Sequence, residues 1–176
     1  YTPTAIVQEF EKAILQELDF EREARNIGTF GENFSEVPKV TVPKVFNELT
    51  TREILTLEYI EGKKLREVEA GTPRAERILD ELLDAMVKMV LYDGFFHGDP
   101  HPGNILVAPD DTLVFIDFGL VGTLSPQQQN DLIDLILTIL TGDEDGIART
   151  LLRMGYPVGR VNLREFTSDI VRLRDE

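Results

Sequence analysis

Three polar side chains near the middle of the chain have the types and the spacing that phosphoryl transfer requires. Asp99 and Asn104 lie in the loop HGDPHPGN, and Asp117 begins the tripeptide D-F-G. An aspartate in such a loop can orient an attacking hydroxyl group or accept its proton. The asparagine and the second aspartate supply oxygen ligands of the kind that Mg²⁺ prefers beside nucleotide phosphates. The pattern therefore predicts a catalytic role for Asp99 and metal-binding roles for Asn104 and Asp117.

A short β-hairpin is predicted between the asparagine and D-F-G. Apolar runs at 105–107 and 113–116 flank a turn that contains a proline and two aspartates. Because a hairpin folds the chain back on itself, Asn104 and Asp117 are expected to lie close together. Two oxygen donors that are distant in the sequence would then face one metal ion.

The two histidines of the loop, His97 and His101, have the spacing of zinc ligands on a helix. Two prolines disfavour a helix there, and the chain has no cysteine and no third histidine. We therefore expect His97 to hydrogen-bond the backbone and, with Gly119, to shape the loops of the site. A purely structural role for the three polar residues, or a chance D-F-G, are the alternatives.

The bulk composition limits the classes of partner. The chain has 176 residues, of which 42% are hydrophobic and 28% charged, as in ordinary globular proteins. Its net charge of −14 argues against binding to nucleic acid, and against adhesion of this surface to anionic lipid. No apolar run reaches the length of a membrane span. Because Tyr1 is not a natural start, the chain is expected to be a piece of a longer protein.

The first part of the chain predicts one helix and two strands. Apolar residues at helical spacing over 4–27 indicate a long amphipathic helix, which Gly28 and Gly31 are expected to end. Strands are predicted at 40–46, where a proline indicates an edge position, and at 52–60.

Helices dominate the rest of the chain, and four are predicted, over residues 73–92, 126–140, 145–154 and 163–174. The first begins at Thr72-Pro73, and the second follows a capping box that opens at Ser125.

This order of elements is an α+β pattern and matches a partial protein-kinase-like fold. Residues 1–61 are expected to be a remnant of the N-terminal lobe, with helix C and the strands that follow it. Residues 62–176 are expected to form a mainly helical C-terminal lobe, which contains the catalytic-loop hairpin.

Acidic residues crowd the segment QELDFEREARN at 16–26. Composition alone favours a solvated helix face, stabilised by pairs such as Asp19–Arg22. In a kinase-like fold, however, one glutamate on this helix pairs with the phosphate-binding lysine. Glu23 is the candidate for that role.

The block E-L-D-F-x-x-E-A-x-N at 17–26, together with the loop and D-F-G, closely resembles the UbiB/AarF family of atypical kinases. The resemblance implies that Glu17 and Asp19 form a motif that contacts a lysine-containing N-terminal extension. It implies that Glu23 pairs with the ATP lysine, and it gives Asp99, Asn104 and Asp117 the catalytic and metal-binding roles derived above.

The family resemblance also implies a function. It implies ATP and Mg²⁺ as cofactors, and a kinase or ATPase that supports ubiquinone or related isoprenoid-quinone biosynthesis. The implied partners are a nucleotide, membrane lipid and quinone-biosynthesis proteins. The implied location is cytoplasmic or peripheral at the bacterial inner membrane or its organelle equivalent.

The chain departs from the complete pattern in one respect. Lys12, on the same helix, is the one lysine that precedes Glu23, so the ATP lysine and its strand are missing. We expect this piece alone to be inactive. A small-molecule kinase of the aminoglycoside or choline type and a non-catalytic nucleotide-binding scaffold are the alternatives. The short segment 120–124 between D-F-G and the next helix disfavours a peptide substrate.

Overall fold

A computed structural model describes residue 7, residues 19–155 and residues 159–175 of the chain. These residues form two compact units. The first contains the described residues up to Met89 together with Phe95–Thr123, and the second contains Val90–Gly94 together with the described residues from Leu124 onward. Both helices and small sheets are present, which confirms the predicted α+β class and the kinase-like fold.

The elements are numbered along the chain. The α-helices are α1 (Phe20–Asn33), α2 (Pro73–Val87), α3 (Pro126–Thr141), α4 (Glu144–Met154) and α5 (Leu163–Asp175). The strands are β1 (Val40–Thr41), β2 (Lys63–Lys64), β3 (Phe95–His97), β4 (Ile105–Val107), β5 (Leu113–Phe115) and β6 (Val121–Thr123). Among the described residues, no helix is both long and apolar enough to cross a membrane.

Helix α1 begins at the cap residue Asp19, whose Oδ1 accepts a hydrogen bond from the N–H of Arg22 at 3.2 Å. The prediction that two glycines end this helix is wrong, because α1 continues past Gly28 and Gly31 to Asn33. Burial of apolar side chains on its inner face outweighs the cost of about 1 kcal/mol per helical glycine. Apart from residue 7, the predicted part of the helix before Asp19 lies outside the described residues.

The first unit holds a four-stranded sheet of order β1-β5-β4-β2. Strands β4 and β5 form the predicted antiparallel hairpin, in which Ile105 pairs with Phe115. Strand β1 runs parallel to β5. A separate two-stranded ribbon joins β3 to β6.

The predicted strands at 40–46 and 52–60 are wrong as continuous strands. Only Val40–Thr41 is strand, and the two segments meet at an isolated antiparallel bridge between Val45 and Leu57. A proline within the first segment lacks the N–H that a longer ladder requires, and a 3₁₀ turn at Asn47–Leu49 follows it. The local sequence therefore limits pairing to short stretches.

The predicted helices after residue 70 are confirmed to within a few residues. Helix α2 begins at Thr72, whose hydroxyl accepts the N–H of Ala75, and it continues as a π-helix over Lys88–Asp93. Helix α3 begins at a complete capping box between Ser125 and Gln128.

The second unit joins α3 to α4 through one arginine. Nε of Arg153 lies 2.7 Å from Asp131 Oδ1, and its Nη2 lies 2.7 Å from Asp134 Oδ2. Asp131 is 6% exposed, and the guanidinium group of Arg153 compensates its buried negative charge.

The core of the first unit brings α1 against the hairpin and D-F-G. The ring of Phe30 lies 5.2 Å from that of Phe115 and 5.0 Å from that of Phe118, measured between centroids. All three rings are fully buried. The packing of these three rings holds D-F-G and the end of the hairpin against α1.

Candidate functional site

Asp99 and Asn104 lie on one hydrogen-bonded turn of the catalytic loop. The Nδ2 group of Asn104 donates to the backbone oxygen of Asp99 at 3.3 Å and to its Oδ2 at 3.4 Å. The N–H of Asn104 donates to the backbone oxygen of His101 at 2.7 Å. Because these bonds use the donor groups of Asn104, its amide oxygen is left for another partner. The carboxylate of Asp99 is exposed.

The hairpin places Asn104 and Asp117 at the same end. The N–H of Ile116 donates to the backbone oxygen of Asn104 at 2.9 Å, directly beyond the Ile105–Phe115 pair. Asp117 is the next residue, and its exposed side chain accepts the N–H of Gly119 at 3.4 Å. The structure thus brings together the backbones of the two predicted metal-binding residues.

Asp117 has a left-handed backbone conformation, with φ of 65°. This conformation costs a residue with a side chain about 1–2 kcal/mol, although aspartate tolerates it better than most. Such strain persists only where the surroundings hold the residue in place, and it is concentrated at functional sites.

Helix α1 supplies that restraint through the backbone of Phe118. The N–H of Phe118 donates to Oε1 of Glu23 at 2.9 Å, and its backbone oxygen accepts from Nδ2 of Asn26 at 2.9 Å. Two side chains one helical turn apart therefore hold both polar groups of the residue after Asp117. Sequence reasoning included Asn26 in the family block but gave it no role.

His97 joins the catalytic loop to the end of β5. Its ring is 2% exposed and lies 5.0 Å from that of Phe118. Nδ1 accepts the N–H of Asp99 at 3.1 Å, and Nε2 lies 3.3 Å from the backbone oxygen of Ile116. Since Nδ1 is an acceptor, the proton is on Nε2, which donates to Ile116.

The segment after D-F-G is fixed against the strand that precedes the loop. The N–H of Gly98 donates to the backbone oxygen of Leu120 at 2.8 Å, and His97 pairs with Val121 in the β3–β6 ribbon. A Cβ at Gly98 would lie 2.7 Å from Cγ of Leu120. A side chain at the position before Asp99 would therefore require Leu120 or the loop to shift.

Glu17 and Asp19 are the two remaining predicted residues, and within the described part of the chain the side chain of Asp19 makes no bond to this cluster. Asp19 caps α1. Glu17 lies outside the described residues. Within the described part of the chain, no three His, Cys, Asp or Glu side chains are grouped as a metal site would need.

The fold and the geometry of the site define a protein-kinase-like domain of an atypical kind, with glycine in place of the arginine that usually precedes the catalytic aspartate. The sequence model described as the ABC1 atypical kinase-like domain matches residues 1–151. The chain therefore belongs to the ABC1 atypical kinase-like family, which confirms the resemblance to UbiB/AarF proteins.

Relatives in this family are considerably longer than the chain. ACTIVITY OF BC1 COMPLEX KINASE 8, chloroplastic, of Arabidopsis thaliana is 35% identical over 162 residues, which cover 88% of this chain and 21% of the relative. ACTIVITY OF BC1 COMPLEX KINASE 1, chloroplastic, of the same plant is 36% identical over 154 residues, with coverage of 86% and 23%. The chain thus spans about a fifth of these relatives' length.

A solved structure supports the same fold. The complex of Rv3197 with erythromycin from Mycobacterium tuberculosis matches 95% of this chain and 43% of its own, with a TM-score of 0.68 and 27% identity.

Proposed function

We propose that the chain supplies the catalytic and metal-binding part of an ATP- and Mg²⁺-dependent atypical kinase or ATPase. One observation carries the proposal: the hydrogen bond between Ile116 and Asn104 brings the catalytic loop to the first residue of D-F-G. Asp99 is bonded to the same asparagine. This arrangement supports a site in which the proposed catalytic aspartate and the two proposed oxygen ligands meet at one end of the hairpin.

The donor set fits magnesium. Asn104 and Asp117 offer an amide oxygen and a carboxylate, both hard ligands, and Mg²⁺ is commonly bound by one or two carboxylates together with substrate phosphates and water. Such a site does not need three clustered acidic or histidine side chains. When bound there, Mg²⁺ neutralises negative charge on the nucleotide phosphates.

Asp99 is proposed to orient the attacking hydroxyl group or water and to accept its proton. Its carboxylate is exposed, and its Oδ2 is bonded by the amide of Asn104. Glu23 and Asn26 hold the backbone beside Asp117, and we propose that Glu23 also meets the ATP lysine in the whole protein. The division into an N-lobe remnant at 1–61 and a C-lobe at 62–176 also remains a proposal.

For the whole protein we propose a role in ubiquinone or related isoprenoid-quinone biosynthesis, at a membrane surface and with quinone-biosynthesis proteins as partners. This role rests on the family resemblance. The pairing of Val121 with His97 after D-F-G supports a small or lipid-like acceptor, because it leaves little free segment for gripping a peptide. A small-molecule kinase and a nucleotide-binding scaffold are the competing outcomes.

Turnover of ATP by the full-length protein tests the proposal. Replacing Asp99 by Asn should lower kcat about 100-fold or more, because the amide cannot accept the proton, while the Kd for MgATP changes little. ADP release and calorimetric ATP binding measure the two effects. Equal turnover in D99N and wild-type protein would show that Asp99 takes no part in the chemistry. If the wild-type protein binds ATP but releases no ADP, the nucleotide-binding scaffold is favoured.

A further inference from the structure

Helix α2 carries more apolar surface than the core of the first unit covers. Ile78 and Ala85 belong to that core and are buried. Leu79, Leu83 and Val87 lie on the outer face of the helix, where they are 53%, 54% and 48% exposed. Because they are four residues apart, they form one stripe along the helix. With the partly buried residues between the two faces, α2 is apolar over more than half of its circumference, and such a helix is normally covered on more than one side.

A line of acidic residues runs beside this outer stripe. Glu76, Asp80 and Asp84 are exposed, and each precedes a residue of the stripe by three positions, so the two are neighbours on the helix surface. Among the described residues, none of these three carboxylates is in a salt bridge. Arg74 and Arg77, in contrast, donate to groups of the first unit. The outer face therefore presents apolar side chains that are bordered on one side by negative charge.

The acidic edge determines which partner fits this face. An anionic lipid surface is repelled by it. A second copy of the chain has the same acidic edge and a net charge of −14, so association of two copies would bring like charges together. A helix with apolar residues at the same spacing, and with Lys or Arg along one edge, would cover the stripe and pair with the carboxylates.

We propose that the outer face of α2 binds an amphipathic, basic-edged helix of the same full-length polypeptide, from outside residues 1–176. The relatives leave ample length for such a helix, because the chain spans about a fifth of the plant proteins that it matches. A stripe of three residues is small for a stable complex between separate proteins, but a helix on the same polypeptide has a high effective concentration. The inference does not depend on nucleotide binding, so it can fail while the proposed function stands.

Cysteine labelling in the full-length protein tests the proposal, because residues 1–176 contain no cysteine. L83C places a thiol on the stripe, and R77C places one on an exposed part of the same helix away from the stripe. We expect a maleimide to react with L83C at least about tenfold more slowly than with R77C, because the covering helix must first detach. Mass spectrometry of the labelled peptide measures both rates. L79C should be protected in the same way and provides a second position if L83C disturbs folding.

Charge reversal tests the basic edge of the partner helix. In the L83C background, the double variant D80K/D84K should make labelling as fast as in R77C, because the two edges would then repel each other. The matched control E81K, on the opposite side of α2, should leave the protection unchanged. Thermal unfolding verifies that each variant is folded at the labelling temperature.

Protection that is independent of protein concentration and is lost in D80K/D84K would support the proposal. Labelling of both L79C and L83C at the rate of R77C would overturn it, because the face would then be open in the full-length protein. Protection that disappears on dilution would also overturn it, since the covering helix would then belong to another molecule. Protection that survives D80K/D84K would contradict the basic edge.

Discussion

At the scale of single residues, the site depends on backbone groups as much as on side chains. Both polar groups of Phe118 are held by α1, through Glu23 and Asn26. This restraint places Asp117 in a left-handed conformation with its carboxylate exposed. On the other side, Gly98 permits direct contact between the loop and the segment after D-F-G.

Gly98 offers a direct test of that contact. In G98A the new methyl group would lie 2.7 Å from Cγ and 3.0 Å from the backbone oxygen of Leu120, so the loop must shift. We expect a loss of about 1–3 kcal/mol in the free energy of unfolding, measured by denaturant titration, together with reduced ATP turnover.

The matched control is Gly28, where an added Cβ meets nothing within 4 Å. Since Gly28 lies inside α1, G28A should stabilise the protein by about 0.5–1 kcal/mol and leave turnover unchanged. If G98A were as stable and as active as G28A, the close contact between Gly98 and Leu120 would contribute neither to stability nor to turnover.

At the scale of elements, the hairpin is fixed at its turn as well as at its open end. Arg74 in the first turn of α2 binds Asp111 through Nε and Nη2, both at 2.7 Å. Beside it, Asp110 Oδ2 accepts the hydroxyl of Thr112 at 2.9 Å, and its Oδ1 accepts the N–H of Thr112 at 3.1 Å. These bonds close the turn between β4 and β5.

The turn predicts a specific acid–base behaviour. The pKa of Asp110 lies below its ordinary value of 3.8, chiefly because the hydroxyl and then the N–H of Thr112 donate to the carboxylate. A carboxylate with a depressed pKa contributes stability above its unfolded pKa, and this contribution is lost as the pH falls through the folded pKa. T112V should therefore raise the pKa of Asp110 toward 3.8, as measured by NMR titration, and an unchanged pKa would contradict this cause.

The elements that could be predicted are those with strong local signals. The caps at Thr72 and Ser125 fixed two helix starts, and the apolar runs on either side of a polar turn indicated the hairpin. The end of α1 could not be predicted, because tertiary burial outweighed its glycines. The predicted strands at 40–46 and 52–60 were wrong as continuous strands because a proline and a 3₁₀ turn limit pairing within this segment to isolated bridges.

The candidate site shows the same difference between contacts that are local in the sequence and contacts between distant residues. Proximity of Asn104 to D-F-G could be inferred from the hairpin, since that contact is local in sequence. The bond from Asn26 to Phe118 joins residues 92 positions apart, and no local pattern indicates it. The β3–β6 ribbon is likewise non-local, and only the three-dimensional structure shows that Gly98 meets Leu120.

At the scale of the whole molecule, the chain is strongly acidic, and the phosphate-binding lysine of a kinase-like fold is expected to lie in another part of the full-length protein. Its net charge is −14, and its relatives are several times longer. We expect the isolated chain to bind MgATP at least about tenfold more weakly than the full-length protein, because it would lack the charge-assisted hydrogen bond from that lysine. Calorimetry on both proteins, with circular dichroism to verify folding of the isolated chain, measures this difference. Equal affinities would show that the chain contains the whole nucleotide site.

The central claim is that Asn104 and Asp117 bind one magnesium ion beside a nucleotide. A double-mutant cycle of Mg²⁺-dependent ATP affinity in the full-length protein, using N104A, D117N and the combined variant, tests it most directly. If both residues serve one ion, each substitution weakens affinity and the combined loss is well below the sum of the two in free energy. Losses that simply add, or a single variant that retains wild-type affinity, would contradict a shared ion.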